Sequence, residues 1–373
     1  MKPDRKTTRR IGHAALLAVL AALVLTTVLV PTAPSSPRLA PDFTLTQTSG
    51  RDTLMQISRR DTLILSDFRS NPILLFFFDA GEMTSLNAMP YVREWTRRYS
   101  RDGLKVMGVH MPGSEPMGLF YNAAEAASRA KINFIVGMDF DRSVYEAYAI
   151  KSLPTYLLLR PGLEIVFETS APKPYAETER AVQNLLAELK PGIINPFFVK
   201  PFRPEDDPSM KVLPVTPKIV LGYRSGAVAG CDSTTYDKFH NYTDSGEKQR
   251  GKVYLQGYWK VGPGFISHEA RLASSGDHLR VIYSGKDVWI LPFFVLDSPQ
   301  RIYVKQDREY LHISRWGGDI FGDLVGQPFI NMRYSIPMHV VSNPSYGTHE
   351  LELSPAEGDV SFYYLFFEGG TAE

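Results

Sequence analysis

Cysteine is almost absent: Cys231 is the only one in 373 residues. One cysteine cannot close an intramolecular disulfide, and no Cys-rich metal site can form. The histidines are scattered with no pair at metal-ligand spacing, which argues against zinc. An excess of either charge is also missing, with 41 basic residues against 40 acidic ones. That balance and the lack of a basic stripe remove the electrostatic case for nucleic acid. No cofactor motif stands out. What remains is ordinary globular composition, 44% hydrophobic and 22% charged, in a chain long enough for two domains.

The N-terminus carries an address. Lys2, Arg5, Lys6, Arg9 and Arg10 form a basic tail over residues 1–10, and Ile11 to Val30 follows without a charged residue. Twenty such residues can just span a bilayer at about 1.5 Å each. The basic side stays in the cytoplasm, so the body is expected outside, in the periplasm or at the cell surface. An uncleaved transmembrane anchor at 11–30 and a cleaved signal peptide both fit, and Pro31-Thr32-Ala33-Pro34 is a poor cleavage site. Residues 31–37 read as a tether.

The chain is organised around Pro72 to Val92. Leu74-Leu75-Phe76-Phe77-Phe78 is apolar at successive positions, as in a strand covered on both faces. A turn over Asp79–Thr84 and a helix from near Ser85 follow. Open α/β sheets place their chemistry at such a turn. Strands are also expected at 104–109, 134–136, 155–159 and 165–167. Helices are expected at 116–131, 139–148 and 175–189.

This stretch, ending in Met89-Pro90-Tyr91, resembles the active-site segment of the TlpA/ResA branch of thioredoxin-like proteins. The resemblance implies an α/β thioredoxin-like fold over 38–190, and thiol–disulfide oxidoreductase chemistry from a Cys-x-x-Cys. Counted back from Met89, the two cysteines fall at Glu82 and Ser85, so the dithiol is lost. Exchange requires a thiolate attacking a disulfide sulfur, and a carboxylate cannot supply it. Two readings fit Glu82. Either the turn is rebuilt as an ordinary helix start, with Ser85 or Thr84 as its cap, or Glu82 binds a cationic or hydrogen-bonding group in the former substrate groove. Pro154 matches the family's cis-proline position. A proline opening a strand can be cis at little cost, whereas another residue would cost about 3 kcal/mol. It either shapes the backbone alone or helps form a peptide-binding groove.

Residues 191–214 hold prolines at 191, 196, 201, 204, 208 and 214 and read as a stiff extended linker. Glu205-Asp206-Asp207 within it reads as a solvated loop. From 215 to 373, short strand-like runs alternate with turn residues, and an antiparallel sandwich of jelly-roll type is expected. Thr216-Pro217-Lys218-Ile219-Val220-Leu221-Gly222-Tyr223 resembles the Thr-Pro-Glu-x-Tyr-Leu-Gly-Tyr segment of DipZ-type proteins, which are cytochrome c biogenesis and thiol–disulfide interchange proteins. In that family the resemblance implies a C-terminal β-sandwich similar to carbohydrate-binding modules. Trp259 and Trp289 read as core. Trp316, in a Gly-rich loop, is the best exposed candidate for stacking on a sugar. Cys231 reads either as a tolerated free thiol or as an intermolecular redox thiol.

The leading expectation is a redox-degenerate thioredoxin-family protein, anchored in the membrane, that binds an exported polypeptide or envelope component near Glu82, Ser85 and Pro154. One alternative is an oxidoreductase using Cys231 or a partner's thiol. Another is a cell-wall carbohydrate-binding protein.

Overall fold

A computed structural model describes residues 37–48, 62–269, 276–294, 300–357 and 359–371. The expected basic tail, the anchor at 11–30 and nearly all of the tether lie outside the described residues. Among the described residues no helix is long and apolar enough to cross a membrane.

The first region carries β1 (Thr44–Thr48), β2 (Thr62–Ile64), β3 (Ile73–Phe78), α1 (Met83–Tyr99), β4 (Lys105–His110), α2 (Phe120–Arg129), β5 (Ile135–Met138), α3 (Ser143–Ala147), β6 (Thr155–Arg160), β7 (Glu164–Thr169) and α4 (Tyr175–Leu189). The strands form one mixed sheet in the order β2-β1-β5-β4-β3-β6-β7. β3 lies inside it, parallel to β4 and antiparallel to β6. All six of its side chains are buried. Leu74, Phe76 and Phe78 pack with Trp95 and Leu186 from α1 and α4. Ile73, Leu75 and Phe77 pack on the other face with Phe43 and Tyr148. Alternation along a strand sends neighbours to opposite faces, so an unbroken apolar run is what a strand covered on both sides requires.

α1 begins at Met83, two residues before the expected start. Its buried residues Ala88, Val92, Trp95 and Tyr99 recur at helical spacing. Glu94 pairs with Arg97 at 2.5 Å and with Arg98 at 2.7 Å on the outer side. The expected helix at 116–131 is interrupted. A 3-10 turn at Pro116–Gly118 precedes an extended Leu119, and α2 starts after it. At 139–148 only Ser143–Ala147 is helical. There the Asp139 carboxylate accepts from the Val144 and Tyr145 N–H groups at 3.2 and 2.8 Å, capping the helix from outside.

After a turn at 191–192, residues 193–201 carry no helix or strand, and they are pinned rather than free. The Asp206 side chain is fully covered. It receives Arg203 at 2.9 Å, Lys173 at 3.6 Å and the Tyr91 hydroxyl at 3.1 Å. The solvated-loop expectation fails at Asp206 because the first region supplies two of those donors, Lys173 and Tyr91, and the linker itself supplies Arg203.

The β-rich region follows: β8 (Ile219–Val220), β9 (Phe239–Tyr242), β10 (Val253–Val261), β11 (Ile266–His268), β12 (His278–Phe293), β13 (Gln300–Gln306), β14 (Glu309–Tyr310), β15 (Ile320–Gly322), β16 (Pro328–Met332), β17 (Met338–Glu357) and β18 (Val360–Glu368). Its strands join in one antiparallel path rather than separate sheets. Two strand-like runs, 279–283 and 287–291, separated in sequence by Ser284-Gly285-Lys286, are one strand, β12, with a register shift between Gly285 and Asp287. The first part of β12 pairs with β10 and its second with β18. β11 links β10 to β18, so these four strands close a ring. Trp259 is fully buried in this core. Trp289 is half-buried and stacks on His339 at 4.4 Å.

The two regions share a core. Leu291, Ile336, Tyr363, Tyr364 and Phe366 of the β-rich region belong to the same buried cluster as Met83, Ala88 and Met117. The Tyr363 hydroxyl donates to Glu115 at 2.6 Å, and the Ser335 N–H donates to the buried Asn122 at 3.1 Å. Arg129 pairs with Asp319 at 2.8 Å.

Candidate functional site

The turn between β3 and α1 is built around Asp79. This residue follows Phe78, the last residue of β3, and its carboxylate is fully buried. One oxygen accepts from the Gly81 N–H at 2.8 Å and the other from the Gly113 N–H at 2.9 Å. A Cβ at position 113 would stand 2.7 Å from the second oxygen, so only glycine admits this approach. Burial raises the Asp79 pKa to about 6, while the two N–H groups and the Lys218 charge pull it down. His110, at the end of β4, accepts from the Ala80 N–H through Nδ1 at 3.3 Å. Its Nε2 faces the Met117 carbonyl at 3.4 Å, which assigns the proton to Nε2. Burial lowers this imidazole to about 4, so it is neutral at pH 7.

Ser85 does not cap the helix. Glu82 holds the cap position in extended geometry and makes no side-chain cap bond. Ser85 lies in the first turn, fully buried, and its Oγ accepts from the Asp79 N–H at 3.2 Å. The turn therefore uses Ser85 to tie down its own first residue. Glu82 Oε1 accepts from Lys218 Nζ at 2.5 Å. Burial raises the Glu82 pKa and Lys218 opposes the rise. Lys218 comes from just before β8, and its ammonium lies 4.7 Å from the Tyr364 ring centroid, a cation–π position. The Tyr364 hydroxyl donates to the Gly113 carbonyl at 3.1 Å, and burial pushes that phenol up to about 12. Asn87 and Arg203 both donate to Glu368 at the end of β18, Arg203 at 3.1 Å. The turn that would hold a dithiol is thus covered by the β-rich region.

Leu153–Pro154 is a cis peptide bond, as expected. Thr155 pairs with Phe77, so the register sets Pro154 opposite Phe78, at the end of the sheet that carries the turn. The register sets Pro154 at the same end of the sheet as Glu82 and Ser85. The structure does not bring Cys231 or Trp316 there. Cys231 packs against the β-rich core, and its thiol donates to the Val228 carbonyl at 3.2 Å. Burial, the largest influence, raises its pKa. Trp316 is half-buried, and its indole N–H donates to the Leu311 carbonyl at 2.8 Å, so it is no exposed platform.

Sequence reasoning missed Asp79, His110, Lys218 and Tyr364. Two signals were present. Asp79 is an acid set directly after six apolar residues, and Lys218 stands where the resembled segment has Glu. Among the described residues no group of acidic, His or Cys side chains could hold a metal ion.

Comparison with known proteins places the first region. Residues 38–167 match the model of the AhpC/TSA family. Protein DipZ of Mycobacterium tuberculosis is 23% identical over 231 residues, which is 61% of this chain and 32% of DipZ. The chain thus spans about a third of the length of that relative. The thiol-disulfide oxidoreductase ResA of Bacillus subtilis is 24% identical over 153 residues, 41% of this chain and 75% of ResA. Among solved structures, the thioredoxin domain of a thiol-disulfide oxidoreductase from Bacteroides vulgatus is 19% identical. It covers 40% of this chain and 99% of its own, with a TM-score of 0.32.

Proposed function

We propose that this chain, which carries an AhpC/TSA-type thioredoxin-like domain over residues 38–167, is a redox-degenerate binding protein. It is anchored in the membrane with its body outside the cytoplasm, and it binds an exported polypeptide or an envelope component. The observation that carries the reading is the use made of the two dithiol positions. Glu82 is engaged by Lys218, and the Ser85 hydroxyl is buried in the service of the turn. Neither can attack a disulfide. Cys231 is a poor substitute, because its raised pKa leaves little thiolate at neutral pH. The anchor rests on Ile11–Val30 and the basic residues before it.

Binding is favoured at the end of the sheet where Pro154 and the turn meet. Lys151 and Ser152 are exposed there, ahead of half-buried Leu153 and Pro154. An extended segment lying across this loop would run along the end of the sheet beside the turn. The β-rich region, read as a jelly-roll-type sandwich, braces the turn from the other side.

Insulin reduction by the full chain in mild detergent tests the reading. Wild type and Cys231→Ser should both be inert. Glu82→Cys/Ser85→Cys should gain exchange, since Lys218 would then favour the thiolate at position 82. Activity in wild type that Cys231→Ser abolishes would overturn the proposal in favour of an oxidoreductase.

A further inference from the structure

The segment after α4 shows apolar side chains to solvent although its backbone is held firmly. Ile194 is 93% exposed, Phe197 96% and Phe202 50%. Phe198 is also exposed, with Arg180 5.4 Å from its ring centroid. Extended chain next to a folded body commonly turns its apolar side chains inward. Here Ile193 and Val199 do pack inward against the core, and between them backbone polar groups are bonded to the body. The Pro196 carbonyl accepts from Gln183 at 2.9 Å and the Phe197 carbonyl from Arg98 at 2.6 Å. The Val199 N–H donates to Glu179 at 2.7 Å, and the Phe202 N–H donates to the Tyr91 hydroxyl at 3.0 Å. Side chains of α1 and α4 therefore fix the strip so that Ile194 and Phe197 face out, with Phe198 and Phe202 partly exposed, Phe202 edge-on to Tyr91 at 5.0 Å. A contiguous apolar display of this kind on a folded protein marks a contact surface.

We propose that the strip from Ile194 to Phe202 rests on a lipid bilayer, with its aromatic side chains in the headgroup–acyl boundary. Lys190, Arg180 and Lys200 are exposed along it and would meet anionic headgroups. Aromatic rings beside Lys and Arg stems suit that boundary, because the stems lie along apolar surface while the charges reach water. Position in the fold supports the choice of a bilayer over other occupants. Leu39, where the chain enters this body, bridges to Glu164, and Glu164 pairs with Arg160 at 3.7 Å. Arg160 in turn reaches Glu188 at 2.9 Å, one residue before the exposed Leu189 that leads into the strip. This relay of contacts links the entry edge to the start of the strip. Eight residues of sequence separate Val30, the end of the uncharged run, from Leu39. The inference rests on the anchoring reading above and adds the face that meets lipid.

The test uses the full chain reconstituted into vesicles of phosphatidylcholine and phosphatidylglycerol. Cys231→Ser makes the chain cysteine-free, and Phe197→Cys then carries an environment-sensitive fluorophore. Leu324→Cys serves for comparison. Leu324 is 106% exposed, at the tip of a turn in the β-rich region. The expected result is blue-shifted emission from position 197, quenched by brominated acyl chains, with neither effect at 324. Neutral vesicles should reduce the quenching. Vesicle-bound chain with both labels in water overturns the inference and leaves the anchoring reading standing. Quenching at both positions, or an equal blue shift at 197 in a self-associated chain without vesicles, also overturns it. A chain that does not sediment with vesicles overturns both.

Discussion

Lys218→Met isolates the contact that closes the turn. The substitution removes the ammonium and keeps an unbranched chain of similar length over the Tyr364 ring. Glu82 then loses the ammonium that donates to it, and Asp79 loses the Lys218 charge that opposes the effect of its burial. The side chains are 20% exposed for Glu82 and 37% for Lys218, so the pair is neither a surface pair nor a buried one. Surface pairs contribute about 0–1 kcal/mol, and breaking a buried pair costs about 3–5. With the exposure of Lys218 discounted, a loss of about 2 kcal/mol at pH 8 is expected. Both carboxyls are raised in the folded state. Their contribution to stability is therefore present below their unfolded pKa values and is lost as pH rises through the folded ones. For Asp79 that window runs from 3.8 to about 6. Without Lys218 both values rise further, so the variant loses more across the window than wild type does. At pH 4, with the carboxyls mostly protonated, the two proteins should differ little. Urea denaturation of the full chain at pH 4 and pH 8 measures this, with Glu82→Gln and the double variant completing a cycle. An equal deficit at both pH values, or a double variant that loses the plain sum of the single ones, would refute the pairing argument.

Three further outcomes follow from particular contacts. Tyr91→Phe strands the Phe202 N–H and removes a donor from covered Asp206, so a loss of about 1–3 kcal/mol is expected in thermal or urea unfolding. Alkylation of native wild type at pH 8 should be slower than that of a free thiol peptide, and should reach the peptide rate once the chain is unfolded, because burial raises the Cys231 pKa. Gly108→Ala should cost about 1–3 kcal/mol by overpacking, since its Cβ would stand 2.8 Å from the Phe78 ring and 2.9 Å from the Phe134 ring. A Gly108→Ala protein as stable as wild type would show that those rings can move apart.

The organising strand and helix of the first region were legible in the amino-acid order. An apolar run covered on both faces, a turn and a helix with Met89-Pro90-Tyr91 set β3 and α1. Glu82 and Ser85, in place of the two cysteines, exclude dithiol exchange at that turn. These features are local, carried by spacing and composition, and local signals survive in one dimension. Helix ends were less legible, because Ser85 satisfies the usual cap preference while its hydroxyl serves Asp79 instead. The length of β12 was hidden too, since a turn-like Ser284-Gly285-Lys286 passes through the strand as a register shift. Only the tertiary structure decided that Lys218, 136 residues away in sequence, neutralises Glu82, and that Tyr363, Tyr364 and Phe366 join the core behind the turn. Long-range pairing depends on how two regions dock. A lysine in a short polar segment and aromatics in a strand give no sign in sequence of which partner they will meet, because burial and charge compensation exist only once both surfaces are brought together.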